Sequence, residues 1–512
     1  YHIDAGANTS AISLLEPVQK QHPEDPKILS LLATALMAER QYSRASALLE
    51  QAVKVSGGAA DAHAELGLAL IGSGQVVGGI GQMEQAFAKS PGEPRTGIAL
   101  ATLHLQKSQP KKARDVLEAV VKRNPDNLTA LNLLAVARGR SGDAAGARQA
   151  YEQVISRDSR FTAALLNLAS LDIAEGKKDS ARQRLGQILK ANPNELDAMV
   201  EMAFVEASSG NTSEAVRWLE KARSFPKGAL RAGLLLTDLN LKNRNADRAL
   251  AVAKETALKA PQNLQALSAV TRAQIALGDL KGARQTLQEM TRYANFEPQS
   301  QVSVARLQRA AGNDPGAIYS LDKALGGNPD YIPALVLLAE IEIAQREYAK
   351  AEQRIRGIGQ KPNGQAVAMR LQGDLALARG QHSAAISSYR TALNKEPSSD
   401  LALRIHRTHL LAGEMDKAVQ VLASWSRTHP DDLSVHLALA DGYLRINNLP
   451  AARSAYEKLL QRQPDNPDVL NNLAQTLLKQ GDKTALDYAE KAVKLAGNDA
   501  GTVDTLGWIL VQ

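Results

Sequence analysis

His406 and His409 lie three residues apart, and His436 follows at the start of the next apolar segment. Three imidazoles from adjacent helices could hold zinc with one coordination position open. No carboxylate is placed to orient them and His406 falls at a packing position, so packed or solvent-facing histidines are expected, with no metal. The segment GSGQVVGGIGQ (Gly72–Gln82) has the glycine density of a phosphate loop. It lacks the Lys and hydroxyl of G-x-x-x-x-G-K-[ST], and no strand precedes it. Gly72 and Gly74 are instead expected at a turn between helices, with Gly78, Gly79 and Gly81 inside the second helix. Each interior glycine costs about 1 kcal/mol against alanine, so this helix pair is expected to be the least stable. No G-x-S-x-G elbow occurs, and the carboxylates read as scattered over exposed helix faces. Trp218, Trp425 and Trp508 could stack on sugar rings, although Trp425 falls at a core position. No catalytic residue and no cofactor are expected.

The 512 residues contain no cysteine, which excludes disulfides, thiolate metal sites and a cysteine nucleophile, and suits an oxidising compartment. Aromatic residues make up only 4% against 44% hydrophobic, an aliphatic balance typical of helical chains. A net charge of +7 over this length is mild. Its strongest run, QPKKAR at Gln109–Arg114, reads as a solvated helix start, and a nucleic-acid partner is not expected. No run of 18 apolar residues is present to span a bilayer.

The elements that position these residues come from a repeat. From Ala11, steps of 34 land on Ala45, Gly79, Ala113, Ala147, Ala181 and onward to Ala385, with Ala eleven times in twelve. The series continues at Ala418, Ala452 and Ala485. Twelve residues earlier stands a second small residue, as at Ala33, Gly67, Ala101, Ala135 and Ala339. A glycine between the two, as at Gly142 and Gly176, supplies the positive φ that ends a first helix. A proline such as Pro125 or Pro193 cannot continue the second helix. Apolar residues recur at i, i+3, i+4 and i+7 between these markers, and nothing alternates with period two. An all-α chain of antiparallel helix pairs is predicted, with small residues where helices cross closely.

The segment LNLLAVARGRSGDAAGARQAYEQVISRD at Leu131–Asp158 resembles the tetratricopeptide repeat in its order of Leu, small residue, Gly, Ala and aromatic. The resemblance implies a right-handed superhelical solenoid. It divides the chain into a partial unit at 1–25, fourteen units over 26–499 and a partial unit at 500–512. Gly6 and Ala11 match a turn and second helix, and Thr505–Gln512 a first helix, so both ends are expected to cut through repeats. A narrower resemblance covers Gly373–Gly413, Thr428–Leu444 and Asn471–Gln512, which look like the tetratricopeptide lipoproteins of the bacterial exosortase/PEP-CTERM system. Those accompany exopolysaccharide loci and carry a signal and a lipidated Cys, here expected upstream of Tyr1.

In the tetratricopeptide family the first helix of each pair lines a concave groove. That register turns Arg272, Arg306, Arg309, Arg370 and Arg407 inward, with Arg404 beside them and Glu340 and Asp374 interleaved. Asn167 and Asn472 match one position of the family's carboxylate clamp, but Asn132, Val136, Leu437 and Asp441 stand where its other residues belong. The expected function is a non-enzymatic scaffold gripping a protein or peptide, with an acidic segment or anionic polysaccharide suited to the arginines. The expected setting is periplasmic, with membrane attachment only through a lipid anchor outside the chain. The alternative is a targeting or regulatory array of a larger enzyme.

Overall fold

The computed structural model describes residues 8–497 and 499–512; Gly6, assigned above to a turn, lies outside them. Among the described residues there are thirty α-helices and no strand. The chain divides into two compact units, Tyr1–Leu239 and Asn240–Gln512. In the first, the helices are α1 (Asn8–Gln21), α2 (Pro26–Ala38), α3 (Tyr42–Val55), α4 (Ala60–Gly72), α5 (Val76–Lys89), α6 (Pro94–Gln106), α7 (Pro110–Arg123), α8 (Leu128–Arg140), α9 (Ala144–Arg157), α10 (Thr162–Ala174), α11 (Lys178–Ala191), α12 (Leu196–Ser208) and α13 (Thr212–Arg223). The boundary falls within α14 (Ala229–Lys242). The second unit continues with α15 (Ala246–Lys259), α16 (Leu264–Ala276), α17 (Leu280–Tyr293), α18 (Pro298–Ala310), α19 (Asp314–Gly327), α20 (Ile332–Ala344), α21 (Tyr348–Gly359) and α22 (Gln365–Ala378). It closes with α23 (His382–Lys395), α24 (Ser399–Leu411), α25 (Met415–Thr428), α26 (Leu433–Arg445), α27 (Leu449–Arg462), α28 (Pro467–Lys479), α29 (Ala485–Ala496) and α30 (Ala500–Val511). Even-numbered helices are the first of each pair and odd-numbered ones the second.

The repeat markers occupy the places that their chemistry requires. Ala45, Ala113, Ala181, Ala283, Ala351 and Ala452 are all fully buried, as are Ala33, Ala101, Ala135 and Ala339 on the facing helices. Layers of Leu, Ile, Val and Tyr fill the space between, as with Leu131, Tyr151, Val154 and Leu168 in the first unit. First helices are opened by side-chain caps: Asp25 Oδ1 accepts from Lys27 N at 2.8 Å, and Asn127 Oδ1 from Ala130 N at 2.9 Å. Between the helices of a pair one residue takes a left-handed conformation, with φ of 91° at Gly142 and 75° at Gly176. Arg40, Ser108, Arg346 and Asn447 hold the same place at φ of 56–61° without being glycine.

The glycine-rich α4–α5 pair differs from the expectation of a merely weakened helix. A Cβ on Gly79 would stand 2.7 Å from the carbonyl oxygen of Gly67, and one on Gly67 would stand 2.9 Å from that of Gly79. These two glycines let the backbones of α4 and α5 meet. Gly81 faces open space and Gly78 only the tip of Leu70, so the helix penalty is uncompensated there.

Candidate functional site

Among the described residues the eleventh position of seven of the fifteen first helices is polar yet buried, which sequence reasoning missed. In the first unit Asp172 on α10 is fully buried and accepts from Arg148 Nη2 at 2.6 Å and Arg184 Nε at 2.8 Å. Glu206 on α12 accepts from Arg182 Nε and from Asn211 Nδ2, both at 2.7 Å. The Arg182 guanidinium, the strongest influence on it, holds the Glu206 carboxyl below the usual range. In the second unit Glu342 on α20 takes a forked contact from Arg354, with Nη2 at 2.6 Å. Gln308 on α18 accepts from Asn313 Nδ2 at 2.6 Å. These carboxylates are therefore not on exposed faces. The reason is geometric: the eleventh position points into the junction where a first helix meets a second, and arginines twelve residues later or 24 earlier reach the same junction. The shared register of Asp172, Glu206 and Glu342 was the available signal.

The three histidines are held separately, each by partners of its own, and only His409 stands at one of these junctions. His406 is buried, with Nδ1 on the Ala418 carbonyl at 3.0 Å, and burial pushes its pKa down. His409, eleventh in α24, places Nδ1 2.6 Å from Glu414 Oε2. His436 is held by Ser426 Oγ at 3.1 Å and the Pro430 carbonyl at 3.0 Å. Among the described residues no group of His, Asp and Glu is arranged to bind a metal. Trp425 is buried, donates from Nε1 to Asp432 at 2.9 Å and stacks on His429 at 3.8 Å. Trp508 is 60% exposed, and Arg217 and Lys221 lie over the ring of Trp218. Asn167 Nδ2 reaches Asn132 at 3.5 Å and Asn472 Nδ2 reaches Asp441 at 3.0 Å, so both amides have partners within the chain.

The arginines fall into two groups. Along the first helices of the second unit runs an alternating ladder. Arg309 on α18 approaches Glu340 on α20 at 3.9 Å and Asp314 at 3.8 Å. Glu340 accepts from Arg370 on α22 at 3.0 Å, and Arg370 also reaches Asp374 at 2.8 Å. Asp374 then accepts from Arg404 on α24 at 2.6 Å, and Arg404 from its other side reaches Asp400 at 2.7 Å. Tyr389 donates to Asp374 at 2.7 Å, and burial together with that carboxylate raises the tyrosine pKa. Glu340 and Asp374 thus neutralise more of the patch than their number suggests, because each serves two arginines. Arg272 on α16 is half-buried and has a partner of its own. Arg306 and Arg407, on α18 and α24, are exposed and form no ion pair among the described residues.

A one-dimensional array of helix pairs, stacked through small residues and carrying its polar groups along the first-helix row, defines a helical-repeat scaffold. The chain belongs to the tetratricopeptide-repeat family: residues 2–66, 98–160, 140–198 and 334–496 match sequence models of the tetratricopeptide repeat, together more than half its length. Among curated proteins it resembles cellulose synthase 1 operon protein C of Komagataeibacter xylinus, 29% identical over 189 residues, 34% of this chain and 13% of that one. Cellulose synthase operon protein C of Pseudomonas fluorescens (strain SBW25) is 26% identical over 186 residues, 33% of this chain and 14% of that one. The chain thus spans about a seventh of these relatives. Among solved structures, the APC/C heterotetramer Cut9–Hcn1 aligns over 98% of this chain and 99% of that one, at 13% identity and a TM-score of 0.38. YrrB, a TPR protein with an unusual peptide-binding site, aligns over 36% and 95% respectively, at 18% identity and a TM-score of 0.33. Scores this low add nothing to the family assignment. No helix among the described residues is long and apolar enough to cross a membrane.

Proposed function

We propose that this chain is a non-catalytic scaffold that holds a partner protein along the first-helix face of α18–α24. The observation that carries the reading is the contrast within one row of arginines. Arg370 and Arg404 are held by carboxylates and Arg309 lies 3.9 Å from Glu340, while Arg306 and Arg407 stand exposed without a counter-ion among the described residues. Guanidinium groups favour carboxylates through paired hydrogen bonds, and the helices that carry the ladder hold the two exposed ones at a set spacing. An acidic segment of a partner fits that arrangement. Two cations are screened within about 10 Å at 0.1 M salt, so they steer and orient more than they bind.

The setting that we infer is the bacterial periplasm, in the export of an exopolysaccharide. It is supported by the stretch shared with proteins named for cellulose synthase operons and by the absence of cysteine. The resemblance of the C-terminal third to exosortase-system lipoproteins favours a lipid-anchored form, with the anchor outside this chain. The test is Arg306→Gln with Arg407→Gln, titrated with polyglutamate at low and moderate salt. A several-fold loss of affinity that fades with salt supports the reading. Equal binding by parent and double variant sinks it.

A further inference from the structure

On the other side of the second unit, α25, α26 and α27 enclose a cleft of about 1110 Å³. Its base is apolar: Leu439 and Leu459 are buried there, and Leu433 and Tyr443 are half-buried. Ser424, Ser426 and Ser454 supply hydroxyls along its walls, and Arg427, Lys458 and Arg462 stand around it. No Asp or Glu is among the described residues that line it. Among the described residues Arg427 donates to Ser424 Oγ alone, at 3.2 Å, and Lys458 forms no ion pair. Arg462 reaches Asp431 at 2.8 Å, a carboxylate that is 84% exposed.

The cleft lacks the charged groups found at the same place in α9–α11 and α20–α21. Where α20 has Glu342 and α10 has Asp172, α26 has Tyr443. Where α21 has Arg354 and α11 has Arg184, α27 has Ala455. Where α9 has Arg148, α25 has Val419, which is buried. At the corresponding place along α21, with Glu342 and Arg354 both present, the space is only about 420 Å³. With Tyr443, Ala455 and Val419 at these three positions, the place holds an apolar trough with a cationic edge instead of an ion cluster.

We propose that this cleft is a second docking site, which takes an acidic segment of a partner protein whose carboxylates alternate with apolar side chains. Its volume of about 1110 Å³, at the upper end of the roughly 300–1,000 Å³ of small-molecule pockets, and its open mouth leave room for a chain segment. The leucines at its base require apolar side chains, which a uronate polysaccharide does not offer. The unpaired cations and the lack of any lining carboxylate set the sign of the occupant's charge. The occupant enters by the second-helix face, away from the arginine ladder.

The full chain is used to select from a displayed library of segments of about twelve residues, in which Asp or Glu alternates with Leu, Ile, Val or Phe. Two double variants separate the requirements. Arg427→Glu with Lys458→Glu reverses the edge, and Tyr443→Glu with Ala455→Arg rebuilds the junction present in other repeats and fills the trough. The edge variant should melt like the parent and the filled variant should keep its helical circular dichroism, and each should weaken a selected segment by about tenfold or more. Arg306→Gln with Arg407→Gln should leave that binding unchanged. A selection in which no segment prefers the parent over the filled variant overturns the proposal. So does competition by alginate oligomers that weakens equally in both cleft variants, because the ligand is then a polysaccharide.

Discussion

Arg346 keeps a left-handed backbone, φ 61°, at the turn where its neighbours Gly312 and Gly380 have 64° and 74°. A side chain there costs about 1–2 kcal/mol that glycine avoids, partly offset by the entropy glycine loses on folding. Arg346→Gly should therefore stabilise the α20–α21 pair by up to about 1 kcal/mol, read as slower hydrogen exchange in both helices. In α5 the two kinds of glycine should respond oppositely. Gly81→Ala should stabilise by about 0.5–1 kcal/mol, since its Cβ meets nothing. Gly79→Ala should destabilise, because its Cβ would press on the Gly67 carbonyl oxygen at 2.7 Å. Glu65, on the first-helix face of α4, has a buried Oε2 without a hydrogen-bond partner, and burial raises its pKa. A raised folded pKa makes a stabilising contribution at low pH that is lost as pH rises through it. Glu65→Gln should accordingly stabilise the chain at pH 7, with the gain vanishing below about pH 4. A gain that persists unchanged in acid would contradict this.

Pairs of helices were legible because their requirements are local and repeat in register. Ala147, Ala181 and Ala215 can be found by subtraction, and each must be small because a second helix crosses there. Ala181→Leu should overpack that crossing and cost roughly 1–3 kcal/mol, with hydrogen exchange rising mainly near residues 160–215, because units couple only to neighbours. The ion clusters were not legible. Asp172, Arg148 and Arg184 are separated by 24 and 12 residues, and the shared register of the acids marks the position without showing that three helices bring the charges to one buried point. Removing the shared acid strands two guanidinium groups, so Asp172→Ala should cost about 3 kcal/mol, again confined to α9–α11. Loss spread evenly over the chain would contradict the nearest-neighbour account.

At the scale of the molecule, the family register placed Arg309, Arg370 and Arg404 along one row of first helices, but it did not reveal that Glu340 and Asp374 bridge between repeats. Bridging depends on rotamers and helix spacing, which residue order does not carry. The difference matters for function, because it reduces a six-arginine patch to a fixed ladder with Arg306 and Arg407 free. The most direct test of the scaffold reading installs a photo-crosslinking residue, in the native cell, at position 306 or 407, and at the exposed second-helix position 285 as control. The account predicts a discrete crosslinked protein from 306 and 407, weaker at each position when the arginine at the other is replaced by Gln, and none from 285. Crosslinks from 285 alone, or none from either arginine position, would contradict it.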